Sequence, residues 1–292
     1  MSYPLPNKTA AILRDHAASI SNLGLYLTRY TPRDDSQRIS EEEKKLRTVP
    51  KILEQNRQLL QDYTARWTAQ VAGISGVQQF TAVAQSRCVV GLGAKGTREV
   101  GLTLHSIYGF PLIPGSGLKG LTRTFATLTA ATKLAAQLGL KISDILAILE
   151  CDAQAIKTHA AHRQTVVVAM ADVTRCCGAQ EGAGTVCFFD AVPDGVVQID
   201  LDIMNPHHRD YYDQHGVGTP PADYTSPIPV YFLTVAKDTR FRFAVAPRRA
   251  PKDSADDVQQ TIAWLQSGLA ELGVGGKTTS GYGMFGEFNP PA

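Results

Sequence analysis

Before Gly73 the apolar positions fall at helical spacing, and after it most fall at strand spacing. Leu13, Ala17, Ile20, Leu23 and Leu27 mark one amphipathic face, which Tyr30-Thr-Pro-Arg-Asp-Asp-Ser36 interrupts. Ser40 and Glu43 have capping-box spacing, and Leu46, Val49, Leu53, Leu60, Tyr63, Trp67 and Val71 continue as one stripe, with Pro50 kinking that helix or delaying its start. This N-terminal helical hairpin must bury its face on the rest of the chain or on a partner. Downstream, strands are expected at Gln79 to Val90, Thr185 to Asp190, Val196 to Ile203 and Met284 to Phe288, with a hairpin of Val230 to Val235 and Arg240 to Val245. Helices are expected at Gly115 to about Ala136, Ile142 to Ile156 and Asp257 to Leu272, the last ended by Gly273. Thr165 to Asp172 reads as a β-branched run. The pattern describes an antiparallel α+β domain from 73 to 292, preceded by a helical extension from 1 to 72 and carrying an irregular insert from 205 to 229.

Composition narrows the class. The 292 residues are 43% hydrophobic and 19% charged, ordinary for a soluble globular chain. No apolar run approaches the roughly 20 residues of a membrane helix, and the first residues lack a signal peptide's apolar stretch, so a cytoplasmic location is expected. The five cysteines lack CxxC spacing, which argues against a disulfide framework or a cysteine zinc site. Net charge is only +2, yet Arg87 to Arg123 holds five cations against Glu99, and Lys237 to Lys252 holds six against Asp238. Two such stripes make one electropositive surface if the fold joins them.

Candidate chemistry centres on two glycine-rich segments. Pro114-Gly-Ser-Gly-Leu-Lys-Gly-Leu-Thr-Arg123 runs into a helix, and Gly273-Val-Gly-Gly-Lys-Thr-Thr-Ser-Gly-Tyr-Gly283 lies between a helix and a strand. Glycine lets backbone N–H groups approach an anion, and a helix N-terminus adds partial positive charge. Two GxGxxG matches fall short of a dinucleotide site: Gly91, Gly93, Gly96 has no helix after it, and Gly115, Gly117, Gly120 has a helix but no strand before it and Ala135 where an acid is needed. Glu271 stands where a Walker A loop needs glycine. Lys277, Thr278, Thr279, Ser280 and Tyr282 combine a charge, hydroxyls and a stacking face, which suits a sugar-phosphate chain with unpaired bases. His207, His208, His215 and Asp210, or His159 and His162, are metal candidates set against ordinary loop histidines, and no cofactor is expected. His105, near Tyr108 and Lys119, is the candidate base of a metal-independent ribonuclease, against a partly buried strand histidine.

Phe110-Pro-Leu-Ile-Pro-Gly-Ser-Gly-Leu-Lys-Gly-Leu-Thr-Arg123, paired with Gly275-Gly-Lys-Thr-Thr-Ser-Gly-Tyr-Gly283, resembles the RAMP proteins of CRISPR RNA-guided effector complexes. Gly91-Leu-Gly, Leu104-His-Ser-Ile-Tyr-Gly, Met204-Asn-Pro-His-His-Arg-Asp-Tyr-Tyr212 and Pro227-Ile-Pro-Val-Tyr-Phe232 make it most similar to the sixth-subunit family of the type III-B (Cmr) complex. The resemblance implies a ferredoxin-like (RRM-like) core in a non-catalytic antiviral-defence subunit that caps the guide's 3′ end. Its implied partners are guide RNA (crRNA), with target RNA as a second candidate, the repeated backbone RAMP subunit, a small helical subunit and a neighbouring RAMP subunit. By matched position, Gly115, Ser116, Lys119 and Arg123 would hold phosphates, and Gly275, Gly276, Lys277 and Gly281 would form the RNA-contact loop. Lys95, Arg98, Thr278, Ser280 and Tyr282 complete the expected RNA-binding set. Gly117 stands where the family has a second serine, leaving a backbone N–H as the contact there. The competing expectation is a RAMP endoribonuclease that processes guide precursors.

Overall fold

A computed structural model describes residues 5–16, 20, 22–30, 49–93, 101–150, 152–179, 182–205, 211, 227, 229–249 and 255–290. The core sheet is built from β1 (Gln78–Ala84), β4 (Val186–Phe188), β5 (Val192–Pro193), β8 (Arg240–Pro247) and β9 (Phe285–Asn289). Its order is β4-β8-β1-β9, with β5 also paired to β8, and every pairing is antiparallel. Alternation decides which side chains go where: Phe80, Ala82, Ala84, Phe241, Phe243 and Val245 share one face. Onto it pack α5 (Gly115–Leu138) through Leu118 and α10 (Ala255–Glu271) through Val258, Leu265 and Leu269. The three apolar positions on α10 recur at helical spacing, and Gly273, at φ +73°, ends the run as the sequence predicts.

Among the described residues, four N-terminal helices, α1 (Asn7–His16), α2 (Leu23–Thr28), α3 (Val49–Gln55) and α4 (Arg57–Ala72), precede the sheet. Leu23, Tyr26, Leu27 and Val49 join the principal core. Trp67 and Val71 of α4 close over Val192 and Ala244, on the sheet face opposite α5 and α10. The expected unbroken stripe to Val71 divides at Asn56, and Pro50 sits in the first turn of α3, where its missing N–H costs nothing. The predicted cap at Ser40 and Glu43 lies outside the described residues.

After α5 the chain forms a helical lobe of α6 (Ile142–Leu149), α7 (Ala153–Thr158), α8 (Arg163–Ala169) and α9 (Ala171–Cys177). The helix expected over Ile142 to Ile156 divides because the Asp152 carboxylate accepts from Ala155 N–H and starts a new helix. Thr165 to Asp172 is helical, not a strand. Val166, Met170 and Val173 lie four and three apart and are buried together, and that packing outweighs β-branched propensity. A short hairpin, β2 (Gly178–Ala179) with β3 (Gly182–Ala183), leads back to the sheet.

The expected hairpin of Val230–Val235 with Arg240–Val245 does not form. The first segment, β7 (Val230–Val235), pairs with β6 (Ile199–Met204) in a separate two-stranded sheet, while β8 pairs with β1. The intervening turn instead bonds to Ala84, through Asp238 N–H and the Thr239 carbonyl. The strand expected to reach Val90 leaves the core sheet at Ala84, and Cys88 then bridges to Val235. The insert 205–229 joins β6 to β7, and of it only Asn205, Tyr211, Pro227 and Pro229 are among the described residues.

Candidate nucleic-acid interface

The two glycine-rich segments meet. Gly117, Gly120 and Thr124 of α5 and Gly275, Thr278 and Thr279 of the C-terminal loop line one groove of about 680 Å³, together with Val90, Ile113 and the exposed Glu271. Helical geometry explains which part of α5 is presented: at about 100° per residue, positions 117, 120 and 124 share a face. Lys119 and Arg123 fall on a different flank, exposed and close enough to Cys177 to oppose the rise that burial gives its thiol pKa. Ser116 is exposed on the first turn.

Several glycines are required by the chain itself. Gly115 is buried, and a Cβ there would stand 2.3 Å from the Phe188 carbonyl oxygen. Its N–H, at the helix N-terminus where an anion would bind, donates to Asp190 Oδ1 at 2.7 Å, so a carboxylate of this chain already holds that place. Gly117 N–H donates to the Pro114 carbonyl at 2.9 Å, which uses the backbone donor left open by the serine replacement. In the C-terminal loop, a Cβ on Gly283 would lie 2.0 Å from the Val274 carbonyl oxygen, and Gly276 N–H donates to Val89 O at 2.7 Å. Gly117 and Gly120 differ: nothing lies within 4 Å of a Cβ built on either. Interior helical glycine costs up to about 1 kcal/mol relative to alanine, and neither packing nor backbone geometry here requires it.

Lys277 and Tyr282 turn inward. The Lys277 ammonium lies 5.2 Å from the Phe232 ring centroid and 5.7 Å from that of Tyr282, with its backbone left-handed at φ +59°. Tyr282 Oη donates to Asp202 Oδ2 at 2.5 Å, and Asp202 also accepts from Arg87 Nη1 at 2.9 Å. Burial would raise the Asp202 pKa, but the bonds from Tyr282, the Ile203 N–H and Arg87 hold it below the usual carboxylate range. Arg87 also reaches Asp200 at 3.2 Å, so the loop is tied to β6 and β7. Gly281 and Ser280 are exposed at the loop tip, and Thr278 is half-buried. Lys95 and Arg98 lie outside the described residues, as do His207, His208, His215 and Asp210. No local motif marks Asp190 or Asp202, and Phe232, which ends a family-like segment, meets Lys277 only through tertiary pairing.

His105 sits among Tyr63, Tyr108 and Phe110, its ring centroid 4.9 to 5.1 Å from theirs. Its Nδ1 accepts from the N–H groups of Ile107 and Tyr108 at 3.2 and 3.3 Å, which places the proton on Nε2. Cys176 and Cys177 are buried, and burial pushes the Cys176 thiol up to about 11, as expected of packing cysteines. Among the described residues, no cluster of His, Cys, Asp or Glu is arranged to hold a metal, and no helix is long and apolar enough to cross a membrane. His159 Nε2 stands 3.9 Å from Asp144.

The RAMP superfamily matches residues 81–285. The CRISPR system Cmr subunit Cmr6 of Pyrococcus furiosus is 32% identical over 272 residues, covering 84% of this chain and 77% of that protein. The crystal structure of Cmr6 from Pyrococcus furiosus is 30% identical, covers 72% of this chain and 97% of its own, and superposes with a TM-score of 0.40. A chain of the type III-B Cmr-beta complex bound to cognate target RNA is 17% identical over 98% of this chain and 91% of its own, with a TM-score of 0.45. A family match across both glycine segments, joined to that identity along most of two chains, makes the assignment direct: the chain belongs to the RAMP superfamily.

Proposed function

We propose that this chain is a non-catalytic RNA-binding subunit of a CRISPR type III-B (Cmr) effector, gripping guide-RNA phosphates and capping the guide's 3′ end beside other Cmr subunits. The relation to Cmr6 supports the assembly, and the family resemblance supports the position at the 3′ end. The alternation β1-α5-β4-β8-α10-β9 with strand order β4-β8-β1-β9 supports a ferredoxin-like core. RRM domains stack bases on an open sheet face, but here Trp67 and Val71 cover that face, so RNA is held by the groove and its neighbouring side chains. Contacts that grip phosphates without reading bases suit a subunit that accepts any guide.

One observation carries the reading: Gly117 and Gly120 lie exposed on the groove wall with open space where side chains would be. Glycine there admits a close-packed sugar-phosphate backbone. Gly117→Ala with Gly120→Ala should therefore raise stability, by up to about 1 kcal/mol per site, and lower RNA recovery when the tagged chain is purified from its own cells. Wild-type chain recovered without guide RNA would overturn the function. Undiminished RNA on the stiffened helix would overturn the assigned groove.

The endoribonuclease alternative has less support. The acceptor nitrogen of His105 is taken by two backbone N–H groups, and its ring is packed on three sides by aromatics.

A further inference from the structure

We infer that Arg248 and Arg249 join Lys119 and Arg123 in a second phosphate-binding surface, on the flank of α5 away from the glycine groove. This rests on the RNA-binding reading and extends it to residues that no motif marks. The anchoring of β4 ties Arg248 to the C-terminal end of α9. Gly184 abuts the Cys176–Cys177 backbone, Thr185 N–H donates to Arg175 O at 2.9 Å, and Arg248 N–H donates to Thr185 O at 2.7 Å. The Val186↔Pro247 pair fixes the register just before the arginines. α5 packs against both α9 and β4, and Cys177, two residues on from Arg175, feels the charges of both Lys119 and Arg123. All four cations are exposed, and none has a carboxylate partner among the described residues.

The acids of this corner do not neutralise it. Asp257 is occupied by Arg175 at 2.9 Å and by the Thr185 hydroxyl at 2.7 Å, and Asp172 also pairs with Arg175. Among the described residues, Lys119, Arg123, Arg175, Arg248 and Arg249 against Asp172, Asp256 and Asp257 leave the corner net positive. Unpaired like charges within a Debye length of about 8 to 10 Å repel, and a polyanion relieves that repulsion. The matching ligand is a single-stranded RNA backbone, whose successive phosphates can reach the corner after leaving the glycine groove.

The test is binding of a single-stranded oligouridylate to the full chain across a salt series. Arg248→Gln with Arg249→Gln should weaken binding and flatten the plot of log affinity against log salt by about 0.7 for each phosphate no longer neutralised. Arg248→Lys with Arg249→Lys should keep the wild-type slope, because charge alone is required. Lys157→Gln, an exposed cation on α7, serves as the control and should change nothing. An unchanged slope in the double glutamine variant overturns the inference while leaving RNA binding itself intact. Absence of wild-type binding overturns the functional reading instead. Unaltered RNA binding with loss of the variant from the assembled complex would make the corner an acidic protein's docking site and likewise overturn the inference.

Discussion

His105 shows how one side chain's protonation state can be written into a turn. Its Nδ1 must be unprotonated to accept from Ile107 and Tyr108, and the same turn is clamped from outside by Asn22, whose amide donates to the Ile107 carbonyl at 2.6 Å. Burial lowers the His105 pKa, with Asp190 pulling the other way. Because the folded value is depressed, this contribution to stability is complete above the unfolded value of about 6.5 and is lost as pH falls through the folded value. Thermal unfolding of wild type and His105→Gln across pH should show an extra wild-type loss below about 6.5, absent in the variant. Parallel profiles would mean that the two N–H bonds matter little. Tyr63 and Tyr108 also face this ring, and Arg66 donates to the Tyr108 hydroxyl at 3.5 Å.

Elements meet through a few polar clamps, and the tie between the C-terminal glycine loop and β6 is the most exposed to test. Tyr282→Phe keeps the ring beneath Lys277 but removes the hydroxyl that donates to Asp202. A hydrogen bond to a charged group contributes about 1.5 to 3 kcal/mol, and urea denaturation should show a loss near the lower end, because Arg87 and the Ile203 N–H still serve Asp202. An unmoved midpoint would show that the aromatic and cation contacts alone hold the loop. The loop and the helices α5 and α10 were legible in the sequence because their signals are local: glycine at a positive-φ stop, and apolar residues three and four apart. Strand partners were not. Nothing near Val230 says that it will pair with Met204 rather than fold back on β8, and nothing near Gly115 says that Asp190 will occupy its N–H. The run at Thr165 misled for the opposite reason, since residue type was weighed above the spacing of Val166, Met170 and Val173. The basic stripes were visible as composition, but the tie from Arg248 through Thr185 to α9 depends on β4 pairing with β8.

At the scale of the molecule, the described N-terminal helices share their buried core with the sheet. Leu23, Tyr26, Leu27 and Val49 share the principal core with Phe243 and Leu265, and Trp67 and Val71 seal the reverse face of β8. Beneath α4, the Thr64 hydroxyl donates to the Pro193 carbonyl at 3.0 Å, and Arg242, only 7% exposed, pairs with Asp194 at 3.0 Å. Removing residues 1–72 would uncover Val192, Ala244 and Phe189 and admit water to that ion pair, while opening a gap in the core behind Leu23. Loss of Trp67 alone resembles large-to-small core substitutions that cost about 3 to 5 kcal/mol, a large share of the 5 to 15 kcal/mol that holds a domain together. A fragment of residues 73–292 should therefore be insoluble or lack a cooperative thermal transition. Full-length Trp67→Ala should fold but melt earlier. If the fragment unfolds cooperatively near the full-length temperature, the extension is a separable domain, and its apolar face is free to serve assembly rather than the fold.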